Sequence, residues 1–135
     1  MSKGLFVLTC QDARIRRVVE RYFDSLDSEP IRNILAGASM AILTPDTREA
    51  VLRGLRLALN HHGVEVVEII DHTDCLAYGK IDGDEFAFHN ERILEAAKIL
   101  QQAFPVAVRG RLIDTQSGRI RTLLAVNRGF YKEQE

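Results

Sequence analysis

Leu5-Phe6-Val7-Leu8-Thr9-Cys10-Gln11-Asp12-Ala13-Arg14 is the stretch on which the fold of this chain turns. Leu5 to Thr9 is a short apolar run without the in–out alternation of a half-exposed strand, so it reads as a strand buried on both faces of a parallel sheet. Such a sheet needs helices between its strands, and the next residues provide one. Ile15, Val18, Val19, Tyr22, Phe23 and Leu26 recur at the three-and-four spacing of one helical face. Between strand and helix sits a polar cluster with a thiol, a carboxylate and a guanidinium: Cys10, Asp12 and Arg14.

The same unit repeats downstream. Asp24-Ser25-Leu26-Asp27-Ser28-Glu29-Pro30 is turn chemistry, and Ile31 to Leu35 gives a second, weaker strand that ends at Ala36-Gly37-Ala38-Ser39. Thr44-Pro45-Asp46 opens a helix with a threonine cap and proline in the first turn, running through Val51, Leu52, Leu55 and Leu59 to His61-His62. Gly63 ends it. Val64 to Ile70 is the third strand and leads into a second polar cluster, His72-Thr73-Asp74-Cys75. Leu76 to Glu85 reads as a loop, and a third helix spans about Phe88 to Phe104, with Ile93, Leu94, Ala97 and Leu100 on one side. Pro105 breaks it before a fourth strand, Val106 to Ile113. Asp114-Thr115-Gln116-Ser117-Gly118 is a turn, and Arg119 to Val126 returns as an antiparallel fifth strand. The tail Tyr131-Lys132-Glu133-Gln134-Glu135 is expected to fray.

A β-α-β-α-β-α-β-β pattern predicts an α/β fold: a mostly parallel five-stranded sheet, order 2-1-3-4-5, with the last strand antiparallel and helices on both faces. In that order strands 1 and 3 are neighbours, and their carboxyl ends flank the crevice where the winding reverses. Topology alone therefore brings Cys10 beside Cys75.

The length fits one domain over residues 1–135, and a charged fraction of 27% is ordinary for a globular protein. A formal net charge of −1 leaves no basic footprint for nucleic acid. No apolar run approaches a bilayer span, so no membrane partner is expected. Met1-Ser2-Lys3-Gly4 leads directly into a strand without a signal-peptide layout, which gives the cytoplasm as the expected location. Two cysteines in such a chain point to ligands, catalysts or buried thiols before a disulfide.

A catalytic zinc takes three protein ligands and a water, and thiolate sulfur and imidazole nitrogen suit it. Cys10, His72 and Cys75 form such a set with Zn²⁺ as the expected cofactor, one turn supplying His72 and Cys75 and the distant Cys10 closing the site. Two thiolates neutralise the dication and acidify bound water less than three histidines would. Asp12 and Arg14 can help. Cys10, Asp12 and Arg14 share a face if the chain stays extended, so that Arg14 holds Asp12 ionised and Asp12 accepts the hydrogen of a metal-bound hydroxide aimed at a small electrophilic carbon. A rival geometry makes Asp12 the fourth ligand of a closed site, with Arg14 turned away.

Cys10-Gln11-Asp12-Ala13-Arg14 with His72-Thr73-Asp74-Cys75 resembles the Cys-x-Asp-x-Arg and His-x-x-Cys pair of the beta-class carbonic anhydrases. Ile31-Arg32-Asn33-Ile34-Leu35-Ala36-Gly37 is similar to that family's Arg-Asn-Ala-Gly segment, and Val108-Arg109-Gly110-Arg111-Leu112-Ile113-Asp114 with Ser117-Gly118 to its closing strand and turn. The resemblance implies zinc on Cys10, His72 and Cys75, an Asp12–Arg14 catalytic dyad, and reversible hydration of carbon dioxide to bicarbonate. It also implies a homodimer or higher homo-oligomer. The sequence departs from the family pattern in four places. Few residues precede the first strand, Leu76 replaces the glycine after His-x-x-Cys, and Ile34-Leu35 is inserted before Ala36-Gly37. The stretch from Cys75 to the third helix is also short. These departures bear on pocket, interface and substrate, and related zinc enzymes hydrolyse carbonyl sulfide or carbon disulfide.

Plainer readings stand beside these. Asp12 can be a helix N-cap and Arg14 solvated surface. Buried cysteines are common in cores. His61-His62 suits a helix carboxyl end, His89 receives no role, and Arg16, Arg17, Arg21, Arg109, Arg111, Arg119 and Arg121 read mostly as solvated faces. Without tryptophan, the bicarbonate-regulated pocket that some family members build on that residue is not expected. Cys10 and Arg16 have the Cys-x5-Arg spacing of cysteine phosphatases, but the intervening loop lacks glycine and carries Asp12, which repels phosphate. A catalytically silent zinc-binding assembly module is the non-enzymatic alternative. It would keep Asp12 on the metal and fill the pocket with Leu76 or Tyr78.

Overall fold

The computed structural model describes residues 4–130. The tail at 131–135 and residues 1–3 lie outside the described residues. In chain order the elements are β1 (Gly4–Thr9), a 3-10 turn (Ala13–Ile15), α1 (Arg16–Asp24), β2 (Ile31–Ile34), α2 (Ser39–Leu43) and α3 (Pro45–His62). Then come β3 (Val64–His72), α4 (Glu85–Ala103), β4 (Ala107–Ile113) and β5 (Ile120–Val126).

The sheet order is β2-β1-β3-β4-β5. The first three pairings are parallel and β4–β5 is antiparallel, as the sequence pattern predicts. Thr9 pairs with Ile70, so β1 and β3 end nearly level and their following residues share one crevice. Each face of the sheet has its own core. On one, Phe6, Leu8, Val67, Ile69 and Val108 pack against Ile42 of α2, Leu55 of α3 and Ile93 and Leu100 of α4. On the other, Val7, Ile70 and Ile113 meet Val18, Val19 and Phe23 of α1, and both cysteines belong to this second core. Side chains of this size, fully buried, contribute about 2 kcal/mol each.

Four differences from the sequence reading stand out, while the remaining strand ends agree with it to within one residue. The chain does not stay extended after Cys10: the 3-10 turn begins at Ala13, and α1 follows only at Arg16. The extra helix α2 is five residues long, too short to show periodicity, and follows two residues with positive φ, Gly37 and Ala38. β3 runs two residues further, to His72. α4 starts at Glu85 because the Asp84 carboxylate accepts the Phe86 N–H at 2.9 Å. Gly63 ends α3 at φ 62° as expected.

Arg109 and Arg111 are not the solvated faces the sequence suggests. Their Nε atoms lie 3.0 and 3.1 Å from Oε2 of Glu68, a carboxylate with no exposed surface on β3. A buried charge needs a counter-charge, and these two supply it. Among the described residues no helix is long and apolar enough to cross a membrane.

Candidate metal centre

β1 and β3 end side by side, and the three expected donors meet there. Cys10 follows β1, His72 is the last residue of β3, and Cys75 lies in the loop beyond it. The ligand atoms of Cys10, His72 and Cys75 all lie within 4.8 Å of one another, and all three residues are buried. The sulfurs are 4.0 Å apart. A left-handed residue, Asp74 at φ 54°, turns the chain between His72 and Cys75, and the Cys75 carbonyl is held by the N–H groups of Tyr78 and Gly79.

Each donor is prepared by its surroundings. His72 Nδ1 donates to the Thr73 carbonyl at 2.8 Å, which fixes the ring and turns Nε2 toward the sulfurs. Nε2 is buried and has no hydrogen-bond partner of good geometry. Burial pulls the imidazole pKa down, but the Cys10 sulfur and the Thr73 carbonyl outweigh it and the net shift is upward. The two thiols are in contact, and either can donate to the other. That contact lowers the Cys10 thiol against the opposing effect of burial, and the same contact, with burial, raises Cys75. Gly37 N–H also donates to Cys10 Sγ at 3.3 Å. Two convergent sulfurs and an orphaned imidazole nitrogen fit a borderline or soft metal ion, whose charge two thiolates would balance.

Asp12 and Arg14 stand at the rim, and two expected roles prove compatible. Asp12 caps the 3-10 turn, its Oδ1 accepting the Arg14 N–H at 2.8 Å. The Arg14 guanidinium then folds back onto the same carboxylate, with Nη2 2.7 Å from Oδ2 and Nε 3.1 Å from Oδ1. The pair forms through a cap and a side-chain fork, not through strand alternation. Asp12 Oδ2 lies 3.8 Å from His72 Nε2. The Arg14 side-chain bond, mainly, holds the Asp12 carboxyl down at about 2. Arg14 also reaches the Asp74 carbonyl at 2.7 Å and its carboxylate at 2.9 Å, so one side chain ties the β1 and β3 loops together.

A cavity of about 290 Å³ opens beside Cys10 and Asp12, with Ile15, Val19 and Phe23 along one wall and Arg32 at its border. Neither Leu76 nor Tyr78 lines it. Leu76 is 87% exposed, and the Tyr78 hydroxyl bonds to Ser39 Oγ at 2.6 Å. His61 and His62 sit exposed at the end of α3, apart from the three donors. The phosphate-loop alternative loses amides that it would need: Arg14 N–H serves the Asp12 carboxylate and Ile15 N–H the Asp12 carbonyl.

Sequence reasoning missed four residues around this centre. Asp71, Ser39 and His89 form a buried polar network, and Gly37 reaches Cys10. The one available signal was Asp71, a charged residue in an apolar central strand immediately before His72.

A family model described as "Putative carbonic anhydrase" matches residues 2–121. No curated protein matches the chain. Among solved structures, the carbonic anhydrase of Streptococcus mutans is similar at 17% identity with a TM-score of 0.62, over 90% of this chain and 84% of that one. A beta-carbonic anhydrase of Trichomonas vaginalis is similar at 17% identity and 0.63, over 94% and 86%. Two tetrameric beta-carbonic anhydrases of Sordaria macrospora are represented by a match of 14% identity and 0.53, over 93% and 84%. At these identities the structural likeness speaks for the fold.

Proposed function

The chain belongs to the family described as putative carbonic anhydrases, and on that premise we propose that it is a zinc lyase of the beta-class type that interconverts carbon dioxide and bicarbonate. The observation that carries the reading is the convergence of Cys10, His72 and Cys75 with a paired Asp12–Arg14 at their edge. Cys10, His72 and Cys75 would hold the zinc. Zinc so held lowers the pKa of a bound water and supplies a nucleophile near neutral pH.

The chain's own residues do the rest. Asp12, ionised throughout the neutral range, can only accept a hydrogen bond, so it fixes the hydrogen of the attacking water and turns its lone pair toward the substrate carbon. Arg14 keeps that carboxylate from swinging inward, since it grips both oxygens and the Asp74 carbonyl at once. This favours the arrangement with Asp12 beside the metal over the one with Asp12 on it. The apolar wall of Ile15, Val19 and Phe23 suits an uncharged linear substrate. The active unit is a homo-oligomer in the cytoplasm.

Zinc content and stopped-flow hydration of carbon dioxide, measured on the same preparation from neutral to alkaline pH, test the reading. About one zinc per chain and measurable turnover are expected, and Cys75→Ser should lose both. Full zinc in Cys75→Ser would remove Cys75 from the ligand set. Zinc-replete protein without hydration at any pH would overturn the activity.

A further inference from the structure

From its buried contacts we infer that Asp71 is a positioning residue for the metal centre, holding the Gly37–Ser39 turn so that the Gly37 N–H points at the Cys10 sulfur. The inference rests on the metal-binding reading proposed above. Asp71 is 1% exposed and sits on β3 directly before His72. Successive strand residues face opposite sides of a sheet. One strand end therefore presents a metal donor to the α1 side and a carboxylate to the other.

That carboxylate is an acceptor for three donors. Oδ1 takes the Ser39 N–H at 3.0 Å. Oδ2 takes the Ser39 hydroxyl at 2.6 Å and His89 Nδ1–H at 2.7 Å. Because the Ser39 proton is used on Asp71, the Tyr78 hydroxyl donates to Ser39 Oγ, at 2.6 Å. Ser39 and His89 have no exposed surface. His89 Nε2 is buried and meets no hydrogen-bond partner among the described residues.

What the network restrains is a turn that would not keep its shape alone. Gly37 has φ 81°, and Ala38 has φ 48° and ψ −92°, a region that side chains disfavour. A Cβ on Gly37 would come within 2.7 Å of Met40 Cβ. Such conformations persist where the surroundings over-determine them. Two bonds from Asp71 to the backbone and hydroxyl of Ser39 do so here. The result is the 3.3 Å contact from Gly37 N to Cys10 Sγ, the one backbone N–H of this turn that meets a proposed ligand. A hydrogen bond onto a ligating sulfur withdraws electron density from it and orients it, as outer contacts of metal ligands do.

Cobalt(II), a spectroscopic probe for the same donor set, gives the test. Affinity is read by competition with a chromophoric chelator, and the sulfur-to-cobalt charge-transfer band reports the state of the thiolates. Asp71→Asn and Ser39→Ala should fold by circular dichroism, bind cobalt about tenfold to a hundredfold more weakly, and shift the band to longer wavelength. Gln101→Met is the control. Its amide Nε2 serves the carbonyls of Val106, Val126 and Asn127 at the far end of α4, so it should lower Tm with no shift of the band. Unchanged affinity and band in the folded Asp71 and Ser39 variants would overturn the inference, as would an equal band shift in Gln101→Met. If Asp71→Asn does not fold, Ser39→Ala decides alone. A wild-type chain that takes up neither cobalt nor zinc overturns the metal reading itself, and the inference falls with it.

Discussion

Asp12 carries a cap on one oxygen and an ion pair on the other. Oδ1 ends the strand-to-helix turn, and Oδ2 meets the Arg14 guanidinium within 4 Å of His72. In Asp12→Ala the loss of the cap should cost about 1 kcal/mol. Loss of the proton acceptor should reduce hydration by roughly 10²- to 10⁴-fold, with zinc retained. Stopped-flow turnover beside metal analysis checks this, and undiminished turnover would remove Asp12 from the mechanism. The meeting of Cys10, His72 and Cys75 was legible in the sequence because each sits at or just beyond a strand end, where topology fixes its neighbours. Asp12 and Arg14 instead meet through a turn and not through the extended segment expected. Asp71 and His89 were not legible. Their partners lie 32 and 18 residues away on other elements, and no local spacing announces that contact.

Helix α4 shows how a local cap decides a boundary. Asp82-Gly83-Asp84-Glu85 has the composition of a loop, and it suggests a start near Phe88. Asp84 is instead the N-cap, and Glu85 favours the positive end of the helix dipole. Replacing Asp84 by alanine should lower stability by about 1 kcal/mol, seen as a reduced urea midpoint with an unchanged m-value. An unchanged midpoint would mean that the cap contributes nothing. Conversely, α2 could not be read. Five residues hold too little periodicity, and its entry depends on the positive φ of Ala38, which no local sequence pattern announces.

The two faces of the sheet are unequally covered, by three helices on one side and α1 on the other. The order of strands was readable because parallel strands need crossovers of fixed hand. The charges on the thinner face were not, since Arg109 and Arg111 look like surface residues until β3 places Glu68 between them and Tyr22. Burial first, and Glu68 second, push the Tyr22 phenol up to about 12. A group raised in the folded state stabilises fully below its unfolded pKa of about 10. That contribution is lost as pH climbs from about 10 to about 12. Tyr22→Phe should therefore flatten the fall in urea midpoint across that window, and an equally steep fall would exclude Tyr22 as its source. The sulfurs of Cys10 and Cys75 are separated by 65 positions in the chain and are brought together by the β1–β3 pairing. That pairing encloses α1, β2, α2 and α3, so its loop is long and its closure is a slow, non-local event in folding. If Cys10, His72 and Cys75 hold a metal as proposed, a chain still growing toward residue 75 would lack one of its donors, and ion capture would follow the pairing of β1 with β3.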